Sequence, residues 1–91
     1  MAKLLVVLKV LPTDIEINLD DLVSKIKDML PQGYELMKYD KVPIAFGLSA
    51  LRLYILMPEE EKGGTEKLEE AVKKVEGVSE VEVEMLHRMS F

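Results

Sequence analysis

The chain has 91 residues, 48% of them apolar and 32% charged, and a formal net charge of −5. That length suits one domain, read as residues 1–91, with a single packed core, and the lack of any cysteine excludes disulfides, thiolate nucleophiles and cysteine-built zinc sites. The 12 lysines and arginines are scattered among 17 acids, which leaves no basic stripe to displace counterions from phosphate, so direct nucleic-acid binding is not expected.

In chain order, Lys3 to Leu11 reads as a strand, with Leu4, Val6, Leu8 and Val10 on one face and Lys3, Leu5, Val7 and Lys9 on the other. Pro12 to Ile17 is a loop. Asn18 is placed to cap a helix whose first turn holds Asp20 and Asp21, and Leu19, Leu22, Val23, Ile26, Met29 and Leu30 form its apolar stripe. Pro31-Gln32-Gly33 stops it. Tyr34 to Val42 reads as a second strand and Leu48 to Met57 as a third, with Leu51, Leu53, Ile55 and Met57 on one face and Ala50, Arg52, Tyr54 and Leu56 on the other. After Pro58 and the acidic run Glu59-Glu60-Glu61, Gly63-Gly64-Thr65 turns the chain and offers Thr65 as a cap. Leu68, Ala71, Val72 and Val75 then give a second helical stripe that Gly77 ends. Val78 to Leu86 is the last strand.

The order βαββαβ predicts an α+β, ferredoxin-like sandwich: a four-stranded antiparallel sheet in the order 4-1-3-2 with two helices on one face. The helix-free face then carries Leu5, Val7, Tyr54 and Leu56. This apolar set is either ordinary surface scatter or a docking and self-association surface. No apolar run approaches the roughly 20 residues of a membrane span, and Met1-Ala2-Lys3 lacks the form of a signal-peptide leader. A cytoplasmic protein is expected. Abundant Lys and Glu, with Asn18 and Gln32 the only side-chain amides, is the pattern of heat-adapted proteins.

No chemistry-bearing constellation emerges. Gly63-Gly64-Thr65 lacks the further glycines and the lysine of a P-loop and follows three acids. The pairs Asp20/Asp21 and Glu69/Glu70 diverge on their helices. His87, the single histidine, has no Ser, Cys or paired carboxylate near it in sequence. An RNA-reading sheet needs stacking aromatics on its central strands, where Tyr54 stands alone. Catalytic residues, a metal and a cofactor are therefore not expected. From these residues alone the chain reads as a small interaction domain, and a ligand-sensing or self-associating domain is one form it can take.

One segment goes further. Pro43-Ile44-Ala45-Phe46-Gly47-Leu48 puts two large apolar residues into a proline- and glycine-marked turn, where polar residues are usual. Phe46 either folds inward to cap the core or docks outward. With Ala50-Leu51 after it, the segment resembles the signature of the nucleotide-exchange domain family of elongation factor 1-beta. The chain length, the Gly63 to Glu66 turn and Gly77-Val78-Ser79 before the last strand are similar to its archaeal members. The resemblance implies a protein that is not an enzyme but binds elongation factor 1-alpha, in its GDP-bound and nucleotide-free states, to exchange GDP for GTP. It implies partner contact through Pro43, Ile44, Phe46 and Gly47, the aromatic packing on the nucleotide domain of the GTPase. It also implies a basic C-terminal tail containing His87 and Arg88. Arg88 falls where eukaryotic relatives carry a lysine that reaches the Mg²⁺ and phosphate region.

Overall fold

Alternation along the first strand gives the sheet two unlike faces. In the computed structural model, which describes residues 2–45, 47–59 and 64–90, the elements are β1 (Ala2–Pro12), α1 (Leu19–Met29), β2 (Glu35–Ala45), β3 (Leu48–Pro58), α2 (Glu66–Lys73) and β4 (Val78–Ser90). The expectations placed on Met1, Phe46, Glu60, Glu61 and Gly63 lie outside the described residues.

The strands pair antiparallel in the order β2-β3-β1-β4, the expected arrangement with β1 and β3 central. Val6, Leu8 and Val10 of β1 and Leu51, Leu53, Ile55 and Met57 of β3 are fully buried on the face that also receives Leu22, Val23 and Ile26 of α1 and Leu68 and Val72 of α2. Apolar burial of this kind is the main favourable term in folding. Both helical stripes thus fall as their spacing requires, with one departure: Met29, in the last turn of α1, is exposed.

The helix boundaries have local causes. The Asn18 side chain accepts the Asp21 amide at 3.0 Å, satisfying one of the free donors at the start of α1. Thr65 occupies the corresponding position before α2, but its backbone is already helical and its side chain makes no capping bond, contrary to expectation. Contrary to expectation, α2 does not run to Gly77 but ends at Lys73 with Lys74 as its C-cap; Gly77 turns the chain into β4 at φ +101°, a conformation that favours glycine.

All four strands run further than their patterns suggested, β3 by Pro58 alone. β1 includes Pro12, β2 continues through Pro43 to Ala45, and β4 continues past Leu86 to Ser90. Pairing explains the last: Leu86, His87, Arg88 and Met89 are matched to Val6, Leu5, Leu4 and Lys3. A central strand that starts near the N-terminus supplies a ladder for the whole C-terminal segment.

The first turn of α1 is clamped to the edge strand β2. Asp20 accepts from the Tyr39 hydroxyl at 2.9 Å and from Lys41 Nζ at 3.1 Å. The bond from Lys41, then that from Tyr39, hold its carboxyl below the usual carboxylate range. A pKa lower in the folded chain means stability that is present above the unfolded value, roughly 4, and lost as pH falls through the folded value. The stability deficit of Asp20→Asn, followed by thermal unfolding, should therefore be largest near neutral pH and shrink as the solution is acidified below about pH 4. In the core, Leu53→Ala should lower the unfolding free energy in urea by about 2–5 kcal/mol.

Candidate functional site

The hairpin between β2 and β3 carries the first group of candidate residues. Pro43 pairs with Ser49 and Ala45 with Leu48, so the expected apolar loop is the tip of a hairpin rather than an open connection. Proline is tolerated there because β2 is an edge strand, and its missing N–H deprives no further neighbour. A register irregularity between Pro43 and Ala45 leaves Ile44 out of the ladder and 43% exposed. Gly47 completes the turn at φ +70°, a left-handed conformation that costs glycine nothing. Phe46, on which the outward-docking reading chiefly rests, is outside the described residues.

At the same end of the sheet, the segment from β1 to α1 meets the hairpin. Pro12, Asp14, Ile15 and Ile17 face Gly47, Leu48 and Ser49 around a recess of about 90 Å³. The pattern offered one signal for this neighbour that went unused: an isoleucine between Asp14 and Glu16.

The second group does not form a tail. His87 and Arg88 are strand residues, opposite Leu5 and Leu4 respectively. Successive strand side chains point to opposite faces. His87 therefore lies on the helix-free face, and Arg88 on the face that carries the helices. Arg88 Nε donates to Glu59 Oε2 at 2.8 Å, while 67% of its side chain remains accessible. Glu59, first residue of the acidic run, was not expected in this role, since its neighbour in space is 29 positions away in sequence.

The two groups occupy opposite ends of the molecule. Arg88 is level with Leu4, and Leu4 with Met57 of β3, whereas Gly47 lies just before the start of that strand. At about 3.3 Å per strand residue, the intervening length of β3 is roughly 33 Å, most of the 41 Å long axis. One compact contact patch cannot include both.

The helix-free face is better shielded than its composition suggested. Val7 and Leu56 are only 4% and 8% exposed. Long polar side chains bridge the strands on this face: Arg52 Nε to Glu84 at 2.9 Å, the Tyr54 hydroxyl to Asp40 at 3.0 Å, and Lys38 Nζ 4.6 Å from the Tyr54 ring centroid. The Glu84 contact raises the pKa of Arg52 further above its already high value. A bulge in β4 after Val83 lets Glu84 reach Arg52, since Val7 pairs with Met85 and Leu8 with Val83. What remains is an open apolar groove lined by Leu5, Met37, Tyr54, Leu56 and Met89.

Among the described residues, no cluster of His, Asp or Glu side chains is placed to hold a metal ion, and no helix is long and apolar enough to cross a membrane. A Cβ at Gly47 would meet nothing within 4 Å. Gly47→Ala should thus cost only the left-handed backbone penalty, about 1–2 kcal/mol, read as a lowered denaturation midpoint without a change in the cooperativity of unfolding.

The comparisons with known proteins agree along the chain. Residues 5–89 match the family profile described as the EF-1 guanine nucleotide exchange domain. The chain is 62% identical over 91 residues to elongation factor 1-beta of Ignicoccus hospitalis, covering 100% of this chain and 97% of the relative. It is 62% identical over 90 residues to that of Hyperthermus butylicus, covering 99% and 98%, and 64% identical over 90 residues to that of Staphylothermus marinus, covering 99% and 100%. In fold alone it is similar to the solved C-terminal domain of the MgtC protein from Mycobacterium tuberculosis, with a TM-score of 0.52, 14% identity, and coverage of 96% and 85%. Matched along nearly its whole length, the chain belongs to the EF-1 guanine nucleotide exchange domain family, and its role is nucleotide exchange in translation elongation.

Proposed function

We propose that this chain, as a single cytoplasmic domain over residues 1–91, accelerates GDP release from elongation factor 1-alpha by binding alone, with no bond chemistry of its own. It engages the GDP-bound GTPase and holds the nucleotide-free state more tightly. By linkage, a factor that prefers the empty GTPase weakens nucleotide by that same preference.

Pro43, Ile44, Phe46 and Gly47 form one contact and Arg88 the other, and the partner spans the sheet lengthwise. The observation that carries this reading is the exposed Ile44 near the tip of the β2–β3 hairpin. Water is a poor environment for that side chain, and an anchor already held in place loses little entropy on docking. Phe46 adds an aromatic anchor, worth about 2 kcal/mol or roughly 30-fold in affinity when buried against a partner.

At the other end, the guanidinium of Arg88 is held by Glu59 through one nitrogen. Exposed pairs of this kind contribute about 0–1 kcal/mol, so a phosphate or an acidic metal ligand competes readily for the fork. A cation delivered there disfavours Mg²⁺ and loosens the nucleotide that depends on it. His87 flanks Arg88 from the other face and joins this contact where the partner wraps the end of β4. Self-association through the helix-free groove is a second use of the apolar surface, and a monodisperse monomer across concentrations would remove it.

The test loads elongation factor 1-alpha with fluorescent GDP and follows release in excess unlabelled nucleotide. The parent protein should accelerate release strongly. Phe46→Ala should require about 30-fold more protein for the same rate, and folded Arg88→Ala should lower the rate reached at saturation. Unchanged release with Arg88→Ala would discard the competing cation and keep the hairpin contact. No acceleration by the parent would overturn both.

A further inference from the structure

Among the described residues, the most exposed large apolar side chain is not in the hairpin. It is Ile15, at 62%, in the segment joining β1 to α1. The turn that carries it is well tied. The Thr13 amide donates to the Gly77 carbonyl at 2.9 Å, fixing the segment to the start of β4. The Glu16 amide donates to Asp14 Oδ1 at 3.0 Å, and the Ile17 amide to the Asp14 carbonyl at 3.3 Å. Ile17 itself packs against the core. Ile15 is thus the outward residue of a turn pinned on both sides, a position where Asn, Asp, Ser or Gly is the usual choice.

Its place adds meaning to its exposure. Ile15 and the hairpin residues Gly47 and Leu48 line the same recess, so two segments distant in sequence present branched apolar side chains, Ile15 and Ile44, at one end of the molecule. The flanking charges indicate what covers it. Asp14 and Glu16 stand on either side of Ile15, in a chain of net charge −5. A symmetric contact between two copies through this end would set these acids against one another, because such an interface matches the same patch to itself. An apolar surface with a basic rim on a different protein has no such conflict.

We propose that Ile15 is a second docking side chain for elongation factor 1-alpha, entering an apolar surface with a basic rim that is continuous with the one receiving the β2–β3 hairpin. This rests on the hairpin reading given above. A β-branched side chain has few rotamers to lose on burial, and the turn does not have to order on binding. The contribution is to affinity and not to the events at the nucleotide, so it belongs in the half-saturating concentration of the factor and not in the maximal release rate.

The experiment measures fluorescent-GDP release from elongation factor 1-alpha against the concentration of the full chain and of its Ile15→Thr, Ile15→Val, Ile44→Thr and Met29→Thr variants. Thermal unfolding checks that each is folded. Thr keeps the branched shape and removes apolar surface, while Met29 is an exposed apolar residue at the far end of α1. Ile15→Thr should raise the half-saturating concentration by about 5- to 20-fold with the maximal rate unchanged, Ile15→Val should stay close to the parent, and Met29→Thr should match it. Ile15→Ser, whose side chain suits the turn, should reproduce the Thr result and serves in its place if Ile15→Thr does not fold. If Ile44→Thr weakens the factor and neither Ile15 variant does, the inference is wrong and the hairpin reading stands. An effect confined to the maximal rate also overturns it. A concentration-dependent dimer of the parent, lost in Ile15→Thr, would assign the patch to a second copy and overturn it too. Failure of the parent to accelerate release would remove the inference together with the reading beneath it.

Discussion

Strand β1 is hydrogen-bonded on both edges, to β3 and to β4, and both neighbours run against it. This double antiparallel pairing decides where every candidate residue ends up. Because β3 and β4 both begin where β1 finishes, the hairpin before β3, the turn after β1 and the start of β4 gather at one end. Because both finish where β1 begins, Arg88 and Glu59 gather at the other. Reversing β3 would dissolve both groupings, and reversing β4 would separate Arg88 from Glu59. The buried alternate residues of β1 and β3 keep the register from slipping, since a shift by one would expose the whole core face.

The two ends differ in character, and the difference suits a binding protein. One end is apolar, with Ile44 between the paired residues Pro43 and Ala45 of the hairpin and Ile15 in a turn tied by the bonds of Asp14 and Thr13. Apolar groups there lose unfavourable contact with water on docking and have little conformational freedom left to surrender. The other end carries an adjustable charge, a guanidinium paired to one carboxylate, with the apolar groove of Leu5, Leu56 and Met89 beside it on the helix-free face. Such a pair orients the charge weakly and releases it to a stronger partner. A device that must bind a GTPase and then disturb its nucleotide has use for both kinds of contact, separated by a rigid sheet.

The opposite face of the sheet shows how much of an apolar surface can be removed from water without a second layer. Val7 and Leu56 are buried although no helix covers them. Arg52, Glu84, Tyr54, Asp40 and Lys38 interact across neighbouring strands over that face. Their hydrocarbon portions shield short neighbours while their polar ends stay wet. The exposed apolar area is thereby narrowed to the groove beside Met37 and Met89.

Much of the architecture was legible because it rests on local periodicity and on the few topologies that βαββαβ permits. The alternation in β1 and β3, the stripe of α1 and the Asn18 cap each follow from side-chain spacing or from the free donors at a helix start. So did the family, through the Pro43 to Leu48 segment. Several features were not legible, for a shared reason. That β4 continues through His87 and Arg88 depends on the ladder offered by the N-terminal residues of β1. That Thr65 does not cap depends on a backbone already turned into the helix. The Arg88–Glu59 pair, the clamp on Asp20 and the meeting of Ile15 with the hairpin join residues far apart along the chain. The sequence by itself determined the elements, the order in which they pack and the family to which the chain belongs, since these depend on nearest neighbours and hydrophobic period. Only the tertiary structure decided that the hairpin and Arg88 stand at opposite ends and that His87 and Arg88 face opposite ways, because distance and direction across a sheet are set by strand register, which no single segment contains.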